Sequence, residues 1–400
     1  MRDKRTSKEI LFIGFTINEN ECNQHMGPAV SANRMQLGLL EELKKAYGDS
    51  LSIITILPIA TFPTEKNIYI KYSRIKILSH TYAIRVPFVN ILFLKQLSQF
   101  HSVFFYTLVL ILKRRIDTII TYNAHFETAK PALLAAKITK CKVVGLIADV
   151  ITTVPSHYTF FKRILRKWEI KSYRKTIPEF DGLIVLNKKV IDTFAPSLPY
   201  VLMDGGIRTS EIDSVILNKA PKVENRILYT GALEHYNGIE ELIEAFGEVE
   251  NKNLKLVICG TGKLKEYVKK KSFEHENISY LGIIDNKSAR KLQEMSGLLI
   301  NTRPVNLYAT QLTFPSKLIE YMLSGTPVLT TLLNGITEDY HPYLYFCGQT
   351  PSEITKEINY VMSLPADTRN EKGKRAREFI LNNKTYGNHA KRIIPFIEKL

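Results

Sequence analysis

Lys317 and Glu320 lie three residues apart in the run F-P-S-K-L-I-E-Y-M-L-S-G-T-P-V. That run predicts a short helix with both ends marked. Pro315 suits a first helical position, where its missing N–H costs nothing, and Gly325 with Pro327 suits the exit. Leu318, Ile319, Met322 and Leu323 supply a face to bury. Lys317 then stands in the first turn, where a cation opposes the helix dipole. Two readings are open. Either Lys317 is the solvated partner of Glu320, or an anion docks on the free N–H groups there and the cation faces it.

Other residues bear on the same chemistry. Gly231 follows one predicted strand and Gly260-Thr261-Gly262 another. Glycines after strands let backbone N–H groups approach phosphate, although each alone is also an ordinary turn. Two such turns with Lys317 in the same half point to a phosphate-bearing ligand. In the first half, His125 and Asp149 each fall at the carboxyl end of a predicted strand. Ligands bind there in open α/β sheets, but either residue can instead cap a loop. Cys22, Cys141, Cys259 and Cys347 have neither metal-ligand nor redox spacing, so a reducing compartment is the simpler reading.

The elements that must position these residues alternate strand and helix. Apolar runs at Ile10–Phe15, Leu51–Leu57, Thr118–Thr121, Lys142–Ile147 and Asp181–Leu186 read as strands, with amphipathic helices from 29 to 47 and from 129 to 138. A polar, turn-rich stretch runs to Asn225, and the alternation restarts at Arg226–Thr230. The pattern predicts an α/β protein of two doubly wound sheets. The expected divisions are 1–206, 207–384 and a last helix, 385–400, packing back on the first domain. No full G-x-G-x-x-G is present, so a dinucleotide site is not supported.

Hydrophobic residues make up 45% and charged residues 24%, a soluble globular profile. The net charge of +16 is uneven: residues 1–200 carry 29 Lys and Arg against 15 Asp and Glu, and residues 201–400 carry 26 against 24. A basic first half either faces an anionic partner, nucleic acid and a membrane surface being the obvious ones, or is merely basic throughout. No nucleic-acid module is readable, and a charge-balanced second half has no role in one. The segment Tyr158–Lys175 reads as a basic amphipathic helix holding the only Trp, Trp168, suited to a membrane interface or to a solvated domain face. Ile84–Leu112 is apolar but interrupted by Lys95, Gln96, Gln99 and His101, and its uncharged part is too short to span a bilayer. A buried helix is expected there rather than one dipping into a membrane. The polar N-terminus and the short run after it are not expected to form a signal peptide.

Taken together, the motifs resemble those of family 4 glycosyltransferases, enzymes of GT-B fold. They most resemble the branch that builds bacterial exopolysaccharide, capsule and O-antigen units. The F-P-S-K-L-I-E-Y-M block is the specific part; N-T-R-P-V-N, Y-T-G-A-L-E-H-Y-N-G-I and I-C-G-T-G-K are similar to its flanking blocks. In the first half M-G-P-A-V-S-A-N-R-M-Q, I-A-D-V, L-I-V-L-N and M-D-G-G-I fit more loosely. The resemblance implies two Rossmann-like domains facing across a cleft and closing on the donor. It implies a retaining, metal-independent transfer, with no cofactor, from a nucleotide diphosphate sugar to a lipid-linked saccharide at the inner face of the cytoplasmic membrane.

Placed on this sequence, Glu320 would hold the ribose hydroxyls, and Lys317, with Ser316 beside it, the diphosphate. Gly27, Gly231, Gly260 and Gly262 would pass close to the donor, Gly282 and Ile283 would touch the base, and Asp149, with His125, would face the acceptor. The sequence departs from the family pattern at three positions. Leu312 stands where a Glu usually contacts the donor sugar, and Ala232 and Asn237 stand where Arg and Lys usually meet the diphosphate. Arg303 and Lys317 are the expected replacements. The departures leave open a non-catalytic nucleotide-sugar-binding subunit; a basic nucleic-acid-binding protein is the remaining rival.

Overall fold

The computed structural model describes residues 8–27, 29–154, 158–212 and 221–400; Pro28 and residues 213–220, within the expected domain boundary, lie outside these. The chain divides into two compact units, residues 1–204 with 386–400, and residues 205–385.

In the first unit the strands are β1 (Ile10–Gly14), β2 (Leu51–Thr55), β3 (Tyr69–Ile70), β4 (Ser73–Leu78), β5 (Thr81–Arg85), β6 (Phe88–Val89), β7 (Thr118–Tyr122), β8 (Lys142–Ile147), β9 (Gly182–Val185) and β10 (Tyr200–Leu202). Eight of them form one sheet in the order β10-β9-β8-β7-β1-β2-β5-β4, parallel except for the β4–β5 hairpin. Central strands read as unbroken apolar runs because helices cover both faces. Ile10, Leu11, Phe12 and Ile13 are accordingly all fully buried. The helices are α1 (Val30–Tyr47), α2 (Leu94–Arg114), α3 (Ala129–Thr139), α4 (Phe160–Thr176) and α5 (Lys188–Phe194).

The expectation of a buried helix across Ile84–Leu112 needs correcting. The segment begins in strands β5 and β6, and α2 follows. Its buried stripe is Gln99, Val103, Thr107 and Ile111, one residue per turn. Leu97, Phe105 and Leu112 remain 50%, 60% and 71% exposed. Apolar residues surround this helix, and packing against its neighbours buries only one side. No described helix is long and apolar enough to cross a membrane.

The second unit has six parallel strands, β11 (Val223–Thr230), β12 (Lys255–Cys259), β13 (Ile278–Gly282), β14 (Ser296–Asn301), β15 (Val328–Thr331) and β16 (Tyr345–Cys347). Their order is β13-β12-β11-β14-β15-β16. Its helices are α6 (Ile239–Gly247), α7 (Lys265–Glu274), α8 (Asn286–Glu294), α9 (Tyr308–Gln311), α10 (Lys317–Leu323), α11 (Pro351–Ser363) and α12 (Ala366–Asn383). The capping box of Thr350 and Glu353 fixes the start of α11.

The last helix, α13 (Tyr386–Lys399), belongs to the first unit. Ile393 and Ile397 join the core around Leu37 and Leu40 of α1. The Tyr386 ring lies against Gly38, where a Cβ would come within 2.2 Å of it. The division after Asp204 has a local cause. Asp204 is buried beside His389 of α13, 3.7 Å away, whereas Gly205 packs on Phe314 and Ile319 of the second unit.

Candidate functional site

Helix α10 starts at Lys317, two residues later than Pro315 suggests, because Leu318 N–H bonds the Pro315 carbonyl in a tighter lead-in turn. Lys317 does not pair with Glu320. Its ammonium donates to the Tyr229 hydroxyl at 2.7 Å and lies 4.3 Å from that ring's centroid. One turn later, fully buried Tyr321 receives the Thr230 N–H on its hydroxyl at 2.8 Å. Two residues on one helix face thus grip two successive residues at the end of β11, and the grip aims Lys317 over Gly231. A Cβ on Gly231 would sit 2.0 Å from the Lys317 ammonium.

The glycine turns stack beneath it. Gly260 N–H bonds the Gly282 carbonyl at 2.8 Å, and its own carbonyl accepts from the Tyr280 hydroxyl at 2.9 Å. A Cβ on Gly260 would meet the Gly231 carbonyl at 1.8 Å, and one on Gly262 the Leu233 carbonyl at 2.3 Å. Arg303 follows β14 on a loop pinned by two threonines: the Thr331 hydroxyl donates to its carbonyl, and Thr302 donates to that of Gly238. The Arg303 guanidinium lies 5.8 Å from the Tyr236 ring centroid. Desolvation first, then the Arg303 charge, pushes the Lys317 ammonium down to about 7, and Glu320 only partly offsets this. Two cations held close enough to depress one of them make a place where an anion is favoured.

Ser316 and Glu320 are exposed beside Lys317, and Ile283 is exposed after Gly282 at the end of β13. Asn237 holds its own loop in place. Its amide and the Tyr229 hydroxyl each donate to the Ala232 carbonyl at 2.8 Å, fixing the turn after Gly231. Leu312 is 1% exposed and part of the core. Sequence reasoning missed Tyr229 and Tyr236. Both read as strand and turn residues, and only the fold brings them to Lys317 and Arg303.

In the first unit, Gly27, His125 and Asp149 line one cavity of about 400 Å³ with Phe15, Tyr122 and Arg166. It opens at the carboxyl ends of β1, β7 and β8. Asn123, also missed in the sequence, organises it: its side-chain oxygen accepts from the N–H of Ala148 at 2.8 Å and of Asp149 at 3.3 Å. Tyr173 donates to the Asp149 carbonyl, so Asp149, an exposed residue, stands on a fixed turn. His125 is wedged edge-on between Phe15 and Tyr173, with ring centroids 5.6 and 5.5 Å away. Desolvation pushes it down to about 4, so its imidazole is neutral at pH 7. On the opposite wall, Asn33 and Gln36 of α1 bond Ile17 and Phe15 and hold the loop that follows β1.

These geometries meet known proteins at two levels. Residues 215–379 match the family Glycosyl transferases group 1. The matched residues fall within the second unit's share of the chain. An uncharacterized glycosyltransferase of Methanocaldococcus jannaschii is 28% identical over 119 residues, which span 29% of this chain and 29% of the relative. Solved structures align over almost the whole chain. Sucrose-phosphate synthase from Thermosynechococcus elongatus has a TM-score of 0.63 at 13% identity, covering 97% of this chain and 98% of that one. HepE of Anabaena, in complex with UDP, has 0.63 at 16%, covering 98% and 100%. A glycosyltransferase from Rickettsia africae has 0.67 at 14%, covering 98% of each. At such identities the likeness shows the fold, which is GT-B, built from two Rossmann-like units.

Proposed function

We propose that the protein is a retaining glycosyltransferase that moves a sugar from a nucleotide diphosphate sugar to a hydroxyl of a lipid-linked saccharide. The observation that carries this reading is the pair Lys317 and Arg303 above the stacked turns at Gly231 and Gly260, inside the segment that matches the group 1 family. The UDP complexes of HepE support a nucleoside diphosphate as the donor's leaving group. Glu320, with two acceptor oxygens, suits the ribose diol.

In the proposed reaction the bond from the anomeric carbon to the β-phosphate oxygen breaks, and the acceptor oxygen bonds that carbon on the same face. The acceptor's proton passes to the departing phosphate oxygen. Lys317 and Arg303 stabilise the charge that grows on the diphosphate, and no metal is needed. Asp149 orients the acceptor hydroxyl. His125 is neutral and wedged between rings, so it shapes the cavity wall. The resemblance to polysaccharide-building enzymes and the basic first unit support a lipid-linked acceptor in surface polysaccharide assembly. The place of action would be the inner face of the cytoplasmic membrane.

Burial of Leu312 favours a second reading, a subunit that binds nucleotide sugar without transferring it, because the core position offers the donor sugar no carboxylate. Thermal shift with a panel of nucleotide sugars, followed by product analysis with the donor that binds, tests both. Stabilisation with product supports the transferase. Stabilisation without product supports the binding subunit, and no stabilisation by any nucleotide sugar overturns both.

A further inference from the structure

Beside the His125–Asp149 cavity, the first unit holds a smaller chamber of about 220 Å³, and the two share Phe15, Gly27, Pro58 and Glu127. Its polar lining is Lys95, Gln99 and Glu127. Lys95 and Gln99 are one turn apart on α2 and so present to one side. Gln99 is 3% exposed, and its amide makes no hydrogen bond with any described residue. An amide that faces such a chamber suits a group that both donates and accepts. Lys95 gives one of its three protons to the Ile59 carbonyl. Burial raises the Glu127 carboxyl and lowers the Lys95 ammonium, and each charge partly offsets the other's shift.

The chamber therefore offers an amide, a carboxyl and an ammonium around the apolar walls of Phe15 and Leu57. A phosphate or carboxylate would face Glu127 and could not use the Gln99 oxygen. A cationic ring would face Lys95. Hydroxyl groups donate and accept and carry no charge, so they satisfy all three side chains. We propose that this chamber is a monosaccharide subsite, in which Gln99, Glu127 and Lys95 hold the hydroxyls of a neutral sugar ring. As part of the acceptor, this ring rests on the function proposed above, and the test keeps the two apart.

Saturation-transfer NMR on the full chain, with neutral hexoses, a hexuronate, a hexosamine and inorganic phosphate as probes, reads the subsite. UDP-induced thermal shift reads the nucleotide site separately. A neutral hexose is expected to bind. Gln99→Leu is expected to weaken it at least tenfold and leave the UDP shift unchanged. If Gln99→Leu fails to fold, Glu127→Leu takes its place with the same readout. Absence of hexose binding, equal binding by the variant, or preference for the hexuronate, hexosamine or phosphate overturns the subsite. Loss of the UDP shift in the unaltered chain, with hexose still bound, overturns the nucleotide reading alone.

Discussion

The Lys317 ammonium meets Tyr229 twice, 2.7 Å from its hydroxyl and 4.3 Å from its ring centroid. The hydroxyl in turn donates to the Ala232 carbonyl, so one tyrosine sets both the cation and the turn beneath it. Neither contact neutralises Lys317, and burial first, then the Arg303 charge, pushes its ammonium down to about 7.

Opposite pH trends follow for the free and the bound protein. The folded value of about 7 lies below the ordinary 10.5, so between them the unfolded chain binds more protons. Lys317 therefore makes the unliganded protein more stable as pH rises from 7 towards 10. Donor affinity runs the other way, since the diphosphate needs the ammonium, and falls as pH rises above 7. Lys222, pushed down to about 8 by burial, adds to the first trend, so the comparison must be with Lys317→Met. Melting temperatures across pH 6.5 to 9, with and without UDP, should lose the UDP-dependent slope in that variant. An unchanged slope rejects the assignment. Lys317→Ala should also lower turnover about 10²- to 10³-fold, as loss of a charge-stabilising donor does.

The two glycine turns should respond differently to a single methyl group. Gly231 and Gly260 both have φ near +140°, which an L side chain rarely adopts. At Gly231 the added carbon meets the tip of Lys317, which can swing away; at Gly260 it meets the Gly231 carbonyl, which cannot. Both substitutions strain the backbone, but Gly260→Ala should lose several degrees more in melting temperature, and Gly231→Ala more nucleotide affinity. Calorimetry of UDP binding beside thermal unfolding separates them, and equal stability losses would contradict the argument.

Much of the architecture is legible in the sequence because parallel strands buried on both faces appear as short apolar runs closed by glycine. Ile10–Gly14 and Lys255–Cys259, the latter followed by Gly260, are of this kind. The Lys317 helix is legible too, through Pro315 and Gly325. What surrounds Lys317 is not, since Tyr229 lies 88 residues earlier and meets it only when β11 and α10 pack together. Asn123 is hidden for the same reason, its partners being 25 and 26 residues away. The exposed side of α2 misleads for another reason: composition counts its leucines and phenylalanines but not the side on which neighbours stand.

Asn123 supplies a test of stability. It combines φ of 58° with a side-chain oxygen that accepts the N–H of Ala148 and of Asp149. Asn123→Ala leaves the buried Ala148 N–H unsatisfied and strains the backbone, and should cost about 1–3 kcal/mol. Asn123→Asp keeps an acceptor and should recover most of that loss at neutral pH. Urea unfolding of the three proteins measures it. A loss in Asn123→Ala below about 0.5 kcal/mol, the scale of ordinary surface substitutions, would show that the bonds do not hold the turn.

The last prediction concerns the surface of the first unit. Residues 1–204 and 386–400 carry 32 Lys and Arg against 17 Asp and Glu, whereas residues 205–385 carry 23 against 22. On α4, Phe160, Phe161 and Ile164 are more than half exposed, and Trp168 rests edge-on against Phe126. Exposed Lys162, Lys167 and Lys171 lie along the same helix. An apolar ridge flanked by lysines suits an anionic bilayer, where each lysine contributes about 1 kcal/mol. Changing these three lysines to Glu should weaken flotation with phosphatidylserine vesicles at least 100-fold. Arg166 is left intact because it bonds Thr153 and Glu169 and lines the His125 cavity. Salt should weaken the unaltered protein's binding. Phe161→Ser with Ile164→Ser should weaken it at every salt concentration, because the apolar contribution is not screened. Flotation that is unmoved by the lysine changes excludes α4 as the contact.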